Sequence, residues 1–518
     1  MKELTSSIYS FEILRREGYL YIDKTEFIWK LISSVGESYF LSRPRRFGKS
    51  LTLSTLKAVF EGKKELFNGL AIYDKPYDWK PYPVIHLDMN GRDFSTLEKM
   101  EDRFRQILLE QAEINGVDLP ETSSDTMFHS LIKTLHDRDG DVVILLDEYD
   151  KPILNNITKE NIRDYLAALK NFYSVIKEKS GMLRLAFITG VSKFCHVSLF
   201  SDLNNLTDIT MDARFATMLG YTQTEFEANF ADRIEEAEKN QTLGHADFLA
   251  KIKNWYDGFR FEESAETVYN PVSLASFFVK GGKFNNYWFE TGTPSFLLQL
   301  IKKQKFNLEE TLRSPVSGFA FSAYEVDRVD ALTMLVQTGY LTIDRAVEYY
   351  GDTAYMLRFP NLEVKGAFEA HLAGSCSGLM VNQVKDSVYR LADKVTAGDV
   401  DGFMETMKVF FAKVPYNVHL KDENNFQLLF FSIFMLLGIS IKAESNTNNG
   451  RIDAVACNED FVFVFEFKLN KTAEIALQQI KERDYYRGYM NSGKTIFLVG
   501  VNFDPEAGQI ASWTYEKA

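Results

Sequence analysis

Cysteine is scarce in this chain: three residues, Cys195, Cys376 and Cys457, with no CxxC pair. That excludes a disulfide framework and a cysteine-based zinc site, and it fits a reducing cytosol. Proline (12) and glycine (30) are too few in 518 residues for a collagen-like or low-complexity chain. Long apolar runs are missing as well. The longest, such as Leu428–Gly438 and Phe461–Phe465, fall short of the ~18 residues needed to span a bilayer. Residues 1–30 carry charge throughout and contain no apolar h-region, so they do not read as a secretory signal. Positive charge is not in excess either: 59 Lys and Arg against 72 Asp and Glu leave a formal net charge of -13. A protein that coats nucleic acid by charge alone is thereby excluded, while a confined basic groove is not. The expectation is a soluble, cytoplasmic protein with no membrane partner.

What is present is ordinary globular material, 45% hydrophobic and 25% charged, with 42 Phe and 25 Tyr to fill several cores. The length suggests about three or four domains. The first third alternates short apolar runs with amphipathic stretches, the pattern of a parallel α/β sheet. Strands are expected at Tyr39–Ser42, Val84–Leu87, Val142–Leu146 and Leu183–Thr189, with helices at Ser50–Phe60, Met100–Ile114 and Asn161–Lys179. The run VVILL at 142–146 has no polar face, so it belongs in a strand buried on both sides. From about Asp208 helices dominate, and Trp255-Tyr256-Asp257-Gly258 makes a turn, with Phe259 in a packed aromatic corner. Ala331–Gly339 followed by Tyr340–Asp344 and Tyr355–Phe359 reads as helix then hairpin, a winged-helix-like module. These shifts divide the chain at 1–210, 211–365, 366–412 (a helical connector) and 413–518.

Two constellations carry chemistry. The first is Arg43-Pro-Arg-Arg-Phe-Gly-Lys-Ser50, between a strand and a helix. A phosphate-binding P-loop needs backbone N–H groups curled around a phosphate, a Lys reaching the β/γ oxygens and a hydroxyl on Mg²⁺. Gly48, Lys49 and Ser50 supply the end of that pattern, flanked by Arg46, Phe47 and Leu51, while Arg43 stands where the first Gly is usual. The bland alternative is a basic turn before a helix. Asp147-Glu148 closes the VVILL strand about a hundred residues on. There Asp147 suits Mg²⁺ and Glu148 suits the attacking water of a nucleotide hydrolase. Thr189 and Ser192 end a third strand, where a polar sensor of the γ-phosphate would sit; the alternative is a simple turn at the strand end.

The second constellation is Gly450-Arg-Ile-Asp453 on one strand and Phe461-Val-Phe-Val-Phe-Glu466-Phe-Lys468 on the next. Residues two apart on a strand face the same way, so Glu466 and Lys468 share a face that Asp453 could approach from the partner strand. Charged groups in so apolar a strand are costly unless paired or bound to metal. Asp453 and Glu466 would hold Mg²⁺ or Mn²⁺ as hard oxygen ligands, and Lys468 would orient water and stabilise charge on phosphorus. The alternatives are a solvent-facing strand with an internal salt bridge, or a retained but inactive fold. Lys481, Arg483 and Arg487 read as a charged solvated face, and Cys195-His196 as structural.

The strings FLSRPRRFGKSLTLSTL, LLDEYDKP, FITGVSKF, WYDGFRF and YNPVSL resemble the bacterial AAA-ATPase-like family, whose members often carry a C-terminal PD-(D/E)XK nuclease-like domain. In that family Arg43 in place of the first Gly is usual. The resemblance implies a P-loop ATPase with a parallel sheet, a helical middle and a restriction-endonuclease-like α/β domain. It also implies ATP and Mg²⁺ as cofactors. Around the D…ExK core it implies an acid on the preceding helix, Glu423, and polar residues on the following one, Gln478, Gln479 and Tyr485. The reading is an ATPase coupled to a metal-dependent phosphodiesterase on nucleic acid, DNA ahead of RNA, with homo-oligomerisation consistent with such ATPases. The alternative is a nucleotide-controlled switch whose C-terminal domain binds nucleic acid or a protein without cutting.

Overall fold

The computed structural model describes residues 2–193, 206–288, 295–304, 306, 308–321, 329–414, 429–430, 432–434, 436–437, 452–469, 471–484, 486–504 and 506–518. Five apolar runs form strands β1 (Glu37–Ser42), β2 (Val84–Asp88), β3 (Val142–Asp147), β4 (Leu183–Gly190) and β5 (Leu206–Asp208). All pair in parallel, in the order β2-β3-β4-β1-β5. Parallel neighbours need crossover connections. Helices supply them: α1 (Lys49–Phe60) after β1, α2 (Leu97–Ile114) and α3 (Ser124–Asp139) before β3, and α4 (Ile162–Glu178) before β4. Strands β3 and β4 are buried along their whole length, β3 as its unbroken apolar run requires and β4 with Arg184 and Thr189 buried among apolar neighbours.

The consequence for function lies in the strand order. Because β4 sits between β1 and β3, the loop after β1, the end of β3 and the end of β4 open side by side at the carboxyl edge of the sheet. That edge is where open parallel sheets place their ligands.

The chain divides into two compact units, 1–291 with 311–363, and 292–310 with 364–518. In the first, α5 (Gln223–Glu238), α6 (His245–Tyr256) and α7 (Pro271–Val279) enclose an aromatic core that includes Phe226, Phe230, Phe248, Tyr256 and Phe277. Trp255 packs on its margin and Phe259 is buried, so the WYDG turn is a packed corner. Gly258 has φ 109°, and a Cβ there would stand 1.9 Å from the Pro360 carbonyl oxygen, so the turn admits only glycine. The expected helix and hairpin appear as α8 (Ala331–Gln337), β7 (Thr342–Tyr349) and β8 (Asp352–Arg358), with the short β6 (Val316–Ser317) completing a β6-β8-β7 sheet.

In the second unit, α9 (Leu362–Ser377, in this unit from Val364), α10 (Val381–Ala397) and α11 (Val400–Ala412) precede a four-stranded sheet ordered β12-β11-β10-β9. Strands β9 (Ile452–Cys457) and β10 (Phe461–Leu469) form an antiparallel hairpin. At its turn the Asn458 side chain accepts from the amides of Asp460 and Phe461. Strand β11 (Thr495–Asp504) returns parallel to β10 through α12 (Ala473–Glu482), and β12 (Gln509–Lys517) closes the sheet. Helix α12 stops at Glu482, because Asp484 turns into the left-handed region at φ 54°. The phenylalanine face of β10 packs on α11 and on Phe430 and Phe434, with Phe465 5.4 Å from Phe403 and Phe467 4.1 Å from Phe430.

One buried acid in this unit has no obvious function. Glu369 on α9 is buried, its Oε1 lacks a hydrogen-bond partner among the described residues, and Lys365 stands 4.0 Å away. Burial pushes its carboxyl up to about 8, from an ordinary 4.5. A raised folded pKa stabilises fully below the unfolded value and is lost as pH rises through the folded one. Stability is therefore expected to decline between those values, by up to about 1.4 kcal/mol per pH unit from this group. Glu369→Gln should flatten that part of the profile, as measured by chemical denaturation at a series of pH values.

Candidate nucleotide and metal sites

The loop between β1 and α1 is shaped by two left-handed residues, Arg46 (φ 67°) and Gly48 (φ 96°), the latter being the N-cap of α1. Lys49 is buried, and its ammonium donates to the carbonyls of Arg43 (2.9 Å) and Pro44 (3.0 Å). Burial pulls its pKa down, while Glu148, Asp147 and Asp150 pull it up. The lysine thus sits folded into its own loop, with its charge facing three carboxyl groups. Ser50 donates to Asp147 Oδ2 at 2.5 Å, and Thr189 donates to Asp147 Oδ1 at 2.7 Å. The sheet order makes this meeting of β1, β3 and β4 ends possible. Thr189 is fully buried, and its hydroxyl is directed at Asp147. Glu148 has φ 51° and pairs with Lys151 at 3.2 Å.

Arg43, Phe47 and Leu51 are placed differently from Lys49 and Ser50. Arg43 is buried, donates to the carbonyls of Ser42 (2.9 Å) and Thr210 (2.7 Å), and stacks 4.2 Å over Phe261. Its side chain braces the loop from beneath. The ring of Phe47 lies edge-on to Phe259 (4.8 Å) and Phe261 (5.3 Å), so WYDGFRF supplies the seat of the loop. Leu51 is half-buried in the first turn of α1, and its carbonyl accepts from Thr55. Arg46 donates to the carbonyl of Tyr287.

Asp150 went unassigned in the sequence, where its only signal was a second acid beside the Asp147-Glu148 pair. It is buried and accepts from Ser192 N (2.8 Å), Ser192 Oγ (2.6 Å) and Val191 N (3.1 Å). Burial raises its pKa and those bonds oppose the rise. It locks the DEYD turn to the end of β4.

In the second unit, β10 is buried on both faces, which excludes the solvent-facing alternative. Glu466 is 0% exposed and Lys468 4% exposed, joined at 2.6 Å between Nζ and Oε1. Glu466 Oε2 is buried without a hydrogen-bond partner among the described residues. The register sets Asp453 directly opposite Glu466, and on the other side Gly500 opposite Glu466 and Asn502 opposite Lys468. A Cβ on Gly500 would lie 2.2 Å from the Ala473 carbonyl, so α12 lies close over this face. Asn502, a polar residue in the apolar strand β11, was not singled out from sequence; its Oδ1 is also buried and unpartnered among the described residues. Gln479 on α12 has its Nε2 in the same state. Gln478 is exposed and bonds Glu482, Lys481 pairs with Glu516 and Arg487 with Asp484. Glu423, Tyr485, Cys195 and His196 lie outside the described residues, as does the side chain of Asp453.

Both sites fit a hard divalent cation by their donors. One offers a serine hydroxyl beside a carboxylate; the other offers a buried carboxylate oxygen with no hydrogen-bond partner among the described residues. Among the described residues no group of three or more His, Cys, Asp or Glu clusters for a metal, and no helix is long and apolar enough to cross a membrane. Asp150→Ala is expected to destabilise the first unit by about 1–3 kcal/mol for each donor left without a partner. Denaturant unfolding followed by tryptophan fluorescence would check it.

Residues 6–200 match the family described as predicted AAA-ATPase, AAA-ATPase-like, and residues 421–513 match the PD-(D/E)XK nuclease superfamily. Over 532 residues the chain is 35% identical to an uncharacterized protein in the vnfD 5′ region of Azotobacter chroococcum mcd 1, covering 99% of each. The chain therefore belongs to the family of that Azotobacter protein, with an AAA-ATPase-like domain towards its N-terminus and a PD-(D/E)XK nuclease superfamily domain towards its C-terminus.

Proposed function

We propose that this protein is an ATP-binding and ATP-hydrolysing nuclease, cutting phosphodiester bonds in nucleic acid, DNA ahead of RNA. The observation that carries the reading is the burial of charge at both sites: Lys49 with Asp147, and Glu466 with Lys468. Buried ionisable groups cost stability, and their concentration at a sheet edge and beside an opposed aspartate marks functional chemistry rather than packing.

In the first site, Lys49 exchanges its loop carbonyls for the β- and γ-phosphate oxygens, while the amides around Gly48, between Arg46 and Leu51, cradle the phosphates. Ser50 and Asp147 are the residues that would hold Mg²⁺, with Thr189 orienting Asp147. Glu148, next in the chain, orients the attacking water. In the second, Asp453 and Glu466 would hold Mg²⁺ or Mn²⁺, with Glu423 as a further acid. Lys468 orients water and offsets the charge developing on the phosphoryl oxygens. Bound at either site, the metal ion supplies Lewis-acid polarisation of phosphoryl oxygens. Phosphodiester hydrolysis is already downhill, so ATP gates or positions the nuclease rather than powering the cut.

The test is cleavage of labelled linear, supercoiled and single-stranded DNA, and of RNA, with Mg²⁺ or Mn²⁺, with and without ATP. Asp453→Ala should abolish cutting and leave ATP turnover unchanged. Lys49→Ala should lower ATP turnover by on the order of 10²–10³-fold, the scale of losing one transition-state donor, and remove the effect of ATP on cutting. Absence of cutting under every condition, with ATP turnover intact, would replace this reading by the nucleotide-controlled switch.

A further inference from the structure

Arg45 and Arg46 of the phosphate loop are held by two consecutive residues that belong to no recognised nucleotide motif. Arg46 donates to the carbonyl of Tyr287, and the indole Nε1 of Trp288 donates to the carbonyl of Arg45 at 3.3 Å. Both are in turn fixed by one buried carboxylate. Glu363 Oε1 accepts the amides of Tyr287 (2.6 Å) and Trp288 (2.9 Å), and Oε2 accepts the hydroxyl of Ser273 (2.8 Å). Ser273 is itself placed by Asn270, which caps α7 through the amides of Val272 (3.0 Å) and Ser273 (3.1 Å). That accounts for the YNPVSL string.

We propose that Glu363 is a positioning residue for the phosphate loop, acting through Tyr287 and Trp288 to set the backbone of Arg45–Arg46 in its nucleotide-binding shape. The inference rests on the nucleotide-binding reading above. A buried acid is expensive, and burial does push this carboxyl up to about 7, opposed by its three hydrogen bonds and by Arg46. All three partners donate, so Glu363 acts as a pure acceptor, turning 287–288 so that one carbonyl and one indole N–H point at adjacent residues of the loop. Arg46 is one of the two left-handed residues of that loop, φ 67°, a conformation a non-glycine residue adopts only when held. The Tyr287 carbonyl is one of the groups that hold it. The hydrogen bonds of the Glu363 carboxylate go to Ser273, Tyr287 and Trp288, and it reaches the loop through those residues and the charge of Arg46, so its effect should fall on nucleotide affinity and not on turnover.

The experiment measures binding of a fluorescent ATP analogue, and KM and kcat for ATP, on the full chain. Glu363→Ala, which leaves both amides unmet, should weaken binding and raise KM about tenfold or more, with kcat at saturating ATP kept; tenfold corresponds to about 1.4 kcal/mol. Glu363→Gln should restore affinity to near wild type, because its amide oxygen still accepts both backbone N–H groups and its NH₂ can donate to Ser273. Should Glu363→Ala fail to fold, Trp288→Phe carries the test: it keeps an aromatic ring against Phe259 and Tyr340, removes the indole donor to Arg45, and should raise KM several-fold at constant kcat. Unchanged affinity in a folded Glu363→Ala protein, or in Trp288→Phe where that one does not fold, overturns the inference. So does a fall in kcat at constant KM. Lys49→Ala runs alongside: wild-type protein that binds no nucleotide, or binding that survives Lys49→Ala, refutes the nucleotide site itself and this inference with it.

Discussion

The carboxylate of Asp147 is where the first unit's candidate chemistry converges. One of its oxygens accepts from Ser50 at the start of α1 and the other from Thr189 at the end of β4. A buried carboxylate has to be satisfied, and here both oxygens are met by neutral hydroxyls, so its negative charge is not cancelled at short range. That leaves Asp147 and its neighbours to act on Lys49, whose pKa they pull up against burial. The arrangement needs β4 to pair with both β1 and β3, as it does in the order β2-β3-β4-β1-β5; with β1 between β3 and β4, Thr189 would be separated from Asp147. The order of strands, more than any one residue, makes the site.

Around that point the protein spends aromatic and backbone contacts on holding a loop that lacks the usual first glycine. Arg43, in the glycine's place, is turned under the loop and stacked on Phe261. Phe47 is gripped by Phe259 and Phe261 from WYDGFRF, and Gly258 in that string allows the chain to pass against Pro360. Asp150 ties the acidic turn to Val191 and Ser192. The signature strings are thus largely the scaffold of the loop between β1 and α1 rather than extra chemical groups.

The second unit solves a different problem: keeping Glu466 and Lys468 inside an otherwise apolar sheet. Strand alternation gives one face of β10 to four phenylalanines and Leu469, with Phe465 packed on Phe403 of α11, and ends the other in the ion pair. Breaking one member of such a pair leaves an uncompensated buried charge. Gly500 lets α12 lie over the same face, which shields the pair, and Asn502 faces Lys468 across β11.

Much of this was legible in the amino-acid order. A run without a polar face announced β3, a short apolar run announced β4, alternation announced β10, and Gly48-Lys49-Ser50, Asp147-Glu148 and Glu466-Lys468 announced themselves by residue type and by their place on the elements. These are local properties, set by the periods of strand and helix and by the steric needs of turns. The sequence could not say that Thr189 would address Asp147, that Phe259 and Phe261 would seat Phe47, or that Asp150 would bond to Ser192. Nor could it mark Glu363, whose partners Ser273, Tyr287 and Trp288 stand 90, 76 and 75 positions away. Hydrogen bonds of that kind depend on which strand lies beside which and on how distant turns converge. Sequence alone determined the candidate chemical groups and their elements. The tertiary structure decided which groups meet, because a buried polar atom must be satisfied by whatever the folded chain brings within about 3 Å.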